Sequence, residues 1–253
     1  DSKPNKTFKQ GKYYLPNNSN NKVRVVRKGK FRIRNRKRKN NKNSSDYRSH
    51  RVKILVGNLR GLTIKADSTA NILSQHDIDY ACITESWLTG AQRPPDNITA
   101  NKYLSVNSNR HNSLGGGVCT LYPKVMCQDV VKICQGVDGE FNGIKINSYS
   151  PPLCIFTYYG PQMARGHDHV NNSIRELLHE VSLHLIDSTV IVAGDFNLYI
   201  GEEHLAGNDP KVSKYGKILN DFISEHRLAI MNYKNSGSVY TYIDGKHGTK
   251  RAL

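Results

Sequence analysis

From residue 52 onward the chain alternates short apolar runs with breaks rich in glycine, proline and asparagine. Lys53-Ile54-Leu55-Val56-Gly57-Asn58 and Tyr80-Ala81-Cys82-Ile83-Thr84-Glu85 are apolar runs of strand length, each ending on a polar residue. Such runs predict strands buried on both faces. Between them the spacing predicts a helix over 67–75, capped by Asp67 or Ser68, with Ile72 and Leu73 facing inward. Residues 89–102, which include Pro94-Pro95, read as a loop. Further strands are predicted over 118–122, 130–133, 141–146 and 153–159. Ile174, Leu177, Leu178, Val181 and Leu185 recur at helical spacing and predict a helix over 169–185. A buried strand over 189–193 then runs into Gly194-Asp195-Phe196-Asn197. A second amphipathic helix follows over 215–226, with Ile218, Leu219, Phe222 and Ile223 on its apolar side. Short strands at 229–232 and 238–243 close the pattern. Most strands follow one another as hairpins, and no internal repeat is visible. The expected class is therefore α/β (α+β): a four-layer sandwich of two packed, mostly antiparallel sheets flanked by helices.

Charge divides the chain at residue 50. Residues 1–50 carry 17 Lys and Arg against only Asp1 and Asp46, a net +15, whereas residues 51–253 are nearly balanced at +1. Nine Asn, few apolar residues and the run Arg36-Lys37-Arg38-Lys39 leave the first segment unable to bury a core. The expected organisation is a disordered basic tail over 1–50 and one folded domain over 51–253. A polycation of this kind binds polyanions by counterion release, and the same run would serve nuclear import. The alternative is a solvating linker that binds nothing specific.

The 37% apolar content lies below the roughly 45–50% of an average globular chain. No apolar stretch approaches the ~18 residues of a membrane span. Neither a membrane partner nor a secretory signal is expected. The five cysteines contain no C-x-x-C pair and match no zinc template. They are expected to be reduced, mostly core residues.

Candidate chemistry sits where the apolar runs stop: Asn58, Glu85, Tyr159, Asp195 and Asn197. Glu85 and Asp195 are hard oxygen ligands suited to Mg²⁺, which takes one or two carboxylates together with water and substrate phosphate. Asn58 and Asn197 orient a carboxylate, a water or a phosphate oxygen without adding negative charge. Tyr159 offers a phenolic donor for a developing oxyanion. The set is compatible with metal-assisted hydrolysis of a phosphate ester. Taken singly, each of these residues is also an ordinary turn or cap residue.

Four strings occur in order: Asn58-Leu59-Arg60-Gly61-Leu62, Thr84-Glu85-Ser86-Trp87-Leu88, Tyr159-Gly160-Pro161-Gln162 and Gly194-Asp195-Phe196-Asn197. They resemble the signatures of the endonuclease/exonuclease/phosphatase superfamily, and most nearly those of the apurinic-like endonuclease domain of non-LTR (LINE) retrotransposons. Gly115-Gly116-Gly117-Val118, Lys214-Tyr215-Gly216 and Tyr240-Thr241-Tyr242 add to the likeness, which spans about residues 52–253. The resemblance implies roles. Glu85 is the metal-ligand glutamate, with Asn58 beside the ion, which is Mg²⁺ or alternatively Mn²⁺. Asp195 orients or deprotonates the attacking water, Asn197 positions phosphate, and Tyr159 belongs to a Y-x-P-N-like motif in which Gln162 replaces the asparagine. Thr241 contacts DNA, and Arg110, before the glycine run, is a phosphate-contact candidate. Outside the resemblance, charge alone makes Arg36, Lys37, Arg38 and Lys39 of the tail candidate nucleic-acid contacts.

The resemblance also implies an aspartate beyond Thr241 and a closing Ser-Asp-His strand. The sequence stops at Arg251-Ala252-Leu253, so the expectation is a domain that lacks its last strands and is inactive or nearly so, unless His247 or His169 substitutes. The implied function is a Mg²⁺-dependent endonuclease that nicks target DNA in the nucleus and primes reverse transcription. The implied partners are DNA, element RNA on the basic tail, and a reverse transcriptase domain in the same polypeptide. Two further readings keep the fold: an inactive nucleic-acid-binding module, and a phosphoesterase acting on a phospholipid or inositol phosphate.

Overall fold

A computed structural model describes residues 52–99, 102–110, 115–201 and 212–231, with short strands at 32–33, 242–243 and 250–251. The basic run at 36–39, Thr241, His247 and most of the predicted 238–243 strand lie outside the described residues.

Two four-stranded sheets face each other. The first has the order β2 (Ile54–Asn58), β3 (Tyr80–Thr84), β5 (Val118–Pro123), β4 (Tyr103–Ser108). The second has the order β10 (Thr189–Asp195), β9 (Leu153–Tyr159), β7 (Phe141–Ile146), β6 (Val130–Gln135). Each sheet contains one parallel pair joined by a helix. Strands β2 and β3 are linked through α1 (Ala66–Gln75), and β9 and β10 through α3 (His167–Ser182). All remaining pairs within these sheets are antiparallel. The expected four-layer α/β sandwich is therefore present, as two mixed sheets with flanking helices. Strand β1 (Arg32–Ile33) pairs with β8 (Tyr149–Ser150), and β11 (Tyr242–Ile243) with β12 (Lys250–Arg251).

Period-two alternation explains why the central strands read as unbroken apolar runs. In β3, Tyr80 and Cys82 face the opposite sheet while Ala81 and Ile83 face α1. In β9, Leu153 and Ile155 point between the sheets while Cys154, Phe156 and Tyr158 pack under α3 and α4 (Lys214–Glu225). Both faces of these strands are buried, so each side chain finds apolar partners whichever way it points. Ile174, Leu177, Leu178 and Val181 of α3 are buried on β9 and β10's outer side. Burying each is worth about 1.5–3 kcal/mol before entropy is counted.

Several local expectations are corrected. Helix α1 starts one residue earlier than expected, behind Lys65, with no side-chain cap. Ile72 is 42% exposed, so of the two predicted inward residues only Leu73 is buried. The predicted 89–102 loop contains a one-turn helix, α2 (Asp96–Thr99). Strand β4 went unpredicted because Ser105, Asn107 and Ser108 dilute its apolar pattern; pairing with β5 supplies what the pattern lacks. Residues 229–231 form no strand.

The five cysteines are unpaired, with Cys82, Cys119 and Cys154 buried, Cys134 half-buried and Cys127 exposed. No helix among the described residues is long and apolar enough to cross a membrane.

Candidate active site

The two parallel pairs end on the same rim of the sandwich, and their carboxyl ends are where side chains leave the sheets. Asn58 ends β2, Glu85 follows β3, Tyr159 ends β9 and Asp195 ends β10. Their strands approach one another across the sandwich, β2 and β3 against β10, and β3 against β9. Between the sheets the inward-facing residues change from apolar to polar toward this rim. Tyr80, Leu153 and Ile155 give way to Thr120, Asn142 and Thr157, where Thr120 Oγ1 donates to Asn142 Oδ1 at 2.6 Å. Carboxyl ends of parallel strands are a recurrent ligand position in open sheets, and here two such positions face each other.

Asn58 Nδ2 donates to Glu85 Oε1 at 2.8 Å and to Asp195 Oδ2 at 2.9 Å, joining carboxylates 110 residues apart in sequence and carried on different sheets. Tyr159 donates from its phenol to the same Glu85 oxygen at 3.0 Å. Burial, and then the Glu85 carboxylate, push the Tyr159 phenol up to about 12. It therefore remains a donor throughout the neutral range. Asn197 orients rather than reaches outward: its backbone N–H donates to Asp195 Oδ1 at 3.2 Å and its amide donates to Gly160 O at 2.7 Å. Gly160 N–H in turn donates to Asp195 O at 2.8 Å, tying the loops after β9 and β10 together. Glu85 and Asn197 both adopt left-handed backbone, at φ 49° and 50°, a conformation that concentrates at functional loops.

A second group of polar residues stands behind the phenol. The Arg110 guanidinium lies 5.4 Å from the Tyr159 ring centroid and 3.8 Å from Glu140 Oε1. Glu140 is buried and is also held by His169 Nε2 at 2.7 Å. Asp138 Oδ2 lies 3.9 Å from the other ring nitrogen of His169. Burial lowers the affinity of Arg110 for its proton, and nearby Arg165 adds to this. Gly116 makes room for the arginine, since a Cβ there would lie 2.2 Å from Arg110 Cζ. Arg110 is thus mostly enclosed, at 8% exposure, with its surface turned to Tyr159 and Glu140.

The structure brings Asn58, Glu85, Tyr159 and Asp195 into one hydrogen-bonded group, with Asn197 beside it and Arg110 behind it. Thr241 and the four basic tail residues lie outside the described residues. Glu140 was not anticipated, and His169 entered the sequence reading only as a substitute acid or base. Glu140 precedes β7, and antiparallel pairing of β7 with β9 (Phe141 opposite Tyr158) brings the start of one strand to the end of the other. The Asp138-Gly139-Glu140 cluster before an apolar run was the available signal.

No group of three or more His, Cys, Asp or Glu gathers as a metal cluster among the described residues. Two carboxylates that share one amide donor still fit a hard divalent cation. Mg²⁺ commonly takes only one or two protein carboxylates and completes its shell with water and phosphate. Glu85 and Asp195 are the residues suited to hold it, with Asn58, whose amide nitrogen bridges the two carboxylates, beside the ion.

No protein-family model matches the chain, and no curated protein matches it by sequence. Solved structures do match. The Neisseria 3′ phosphatase NExo, bound to a product DNA hairpin, superposes with TM-score 0.59 at 15% identity, covering 78% of this chain and 80% of that one. The Leishmania major AP endonuclease LMAP gives 0.56 at 13% identity, covering 77% and 73%. The chain has the endonuclease/exonuclease/phosphatase fold. The endonuclease domain of TRAS1, a telomere-specific non-LTR retrotransposon, shares this fold with it at TM-score 0.53 and 16% identity, covering 79% and 81%. On this fold the Asn58–Glu85–Asp195 group occupies the rim where the carboxyl ends of both parallel pairs meet.

Proposed function

We propose that this chain carries a divalent-metal-dependent phosphodiesterase centre that nicks DNA. The observation that carries the reading is the convergence of Glu85 and Asp195, from different sheets, on the Asn58 amide. Structural neighbours described as a DNA-bound 3′ phosphatase and as AP and retrotransposon endonucleases support DNA as the substrate.

The chain's own residues divide the work. Asp195, oriented by the Asn197 N–H, accepts the proton of a water aimed at phosphorus. Tyr159 keeps its proton, which it gives as a hydrogen bond to Glu85 in the free site, and turns that one donor to a non-bridging phosphate oxygen as charge builds there. Glu85 would hold the cation with Asn58 beside it, and Asp195 would face the same ion through Oδ2 while its Oδ1, on the Asn197 side, serves the water. Bound Mg²⁺ or Mn²⁺ supplies Lewis acidity and charge neutralisation at the phosphoryl group. The water oxygen bonds to phosphorus as the bond to the 3′ oxygen breaks, and the departing 3′ oxygen takes a proton from solvent, leaving a 3′-hydroxyl and a 5′-phosphate.

The finer reading is a retrotransposon endonuclease domain, whose free 3′-hydroxyl primes reverse transcription by a domain of the same polypeptide acting in the nucleus. The likeness to the TRAS1 domain and the four ordered motifs favour this over a phospholipid or inositol phosphate substrate. The segment 1–50, at +15, adds affinity for DNA or element RNA through phosphate contacts.

The test is nicking of supercoiled plasmid with Mg²⁺ by a version extended through the aspartate and Ser-Asp-His strand that the resemblance implies, beside the same assay in EDTA and with Glu85→Ala in that version. The 253-residue chain alone is expected to show little or no nicking. Mg²⁺-dependent conversion to open circle, lost in Glu85→Ala while its melting temperature holds, is the expected result. Equal nicking by wild type and Glu85→Ala overturns the assignment.

A further inference from the structure

Two residues beyond Glu85, the chain presents Trp87 to solvent. Its backbone is left-handed, at φ 55°, and its side chain is 42% exposed. Both features are costly for a large aromatic: a bulky residue at positive φ is an outlier, and apolar surface left in water forgoes burial. Neither is accidental in the local build. Ser86 and Leu88 on either side are buried, at 0% and 2%. Backbone bonds fasten the loop on two sides, from Ser86 N to Gly117 O at 3.1 Å, from Trp87 N to Gly116 O at 3.0 Å, and from Gly61 N to Glu85 O at 2.9 Å. Part of the indole rests on bare backbone: a Cβ on Gly61 would lie 3.1 Å from Trp87 Cε3, and one on Gly115 3.6 Å from its Nε1. The fold thus holds a flat aromatic surface open on the loop that carries Glu85, two residues along the chain.

We propose that Trp87 is a stacking platform for a base of the DNA strand whose phosphodiester lies at Glu85 and Asp195. The inference rests on the nuclease reading and extends it to the nucleotide flanking the scissile bond. Reach is compatible: two residues of extended chain span at most roughly 7 Å, about two rises of roughly 3.4 Å along one DNA strand. Base–aromatic stacking needs only a π-face on each partner, so this platform supplies affinity and registers the strand without reading its sequence by hydrogen bonds.

Trp87 is the chain's single tryptophan, so its intrinsic emission reports on this position alone. The probe is a short DNA duplex with a frayed, unpaired end, titrated in EDTA so that no strand is cut. Anisotropy of a fluorescein-labelled copy measures binding independently. The expected result is saturable quenching of tryptophan emission with the same midpoint as the anisotropy change. Trp87→Ala weakens binding about 5- to 150-fold, whereas Trp87→Phe loses only a small part of that affinity. Trp87→Gly suits the left-handed backbone, so it keeps the loop folded while showing the same weakening as Trp87→Ala. Binding with unaltered emission, or with full affinity in Trp87→Gly, overturns the proposal and leaves the nuclease reading standing. Absence of binding by either readout overturns the nucleic-acid reading itself, and this inference with it.

Discussion

At the scale of single residues, Glu85 Oε1 receives two donors, the Asn58 amide and the Tyr159 phenol. The phenol is the more informative of the two to remove. Its ring is buried and lies beneath Arg110, so Tyr159→Phe keeps the packing and deletes one donor. In the version extended through the Ser-Asp-His strand, we expect kcat for plasmid nicking to fall about 10²-fold, near the loss of one oxyanion donor, with KM for DNA little changed. A fall in affinity at constant kcat would show that the phenol only binds substrate. Asn58, Glu85 and Asp195 are legible in the sequence because each is a polar residue that ends an apolar run. Of the three strands, however, only β3 is buried throughout; β2 and β10, expected to be buried, lie at the edges of their sheets and are only partly enclosed. Glu140 and His169 are not legible, because a carboxylate before a strand and a histidine in a helix's first turn look ordinary until pairing brings them together.

At the scale of elements, the parallel pairs β2–β3 and β9–β10 place the site, and the second depends on a glycine. Gly194 sits within β10 at φ +147°, and a Cβ there would meet Tyr158 O at 1.9 Å. Gly194→Ala must push the strands apart just before Asp195 or twist the backbone away. We expect destabilisation of about 3 kcal/mol, read as a melting temperature lower by roughly 6–12 °C. An unchanged melting temperature would mean that the β9–β10 register there is not rigid. Strands with two buried faces were readable as runs, and α3 and α4 as amphipathic periods. Strand β4 was hidden because Ser105, Asn107 and Ser108 make half of it polar. The start of α1 is not marked in the sequence, because Lys65 precedes the helix with no side-chain cap.

At the scale of the whole molecule, sequence-distant ends of two sheets form one site, while a separate segment carries nearly all the excess charge. The sandwich was inferable from element order, since helices and hairpins must bury their apolar sides in layers. That Glu85 and Asp195 meet was not readable from spacing; it follows from packing β2 and β3 against β10. The claim that this meeting makes one cation site is tested most directly by calorimetric titration of the chain with Mn²⁺. Wild type is expected to show a single site. Glu85→Gln and Asp195→Asn are each expected to weaken it at least about tenfold with melting temperatures preserved. Undiminished Mn²⁺ binding in both variants would contradict the account.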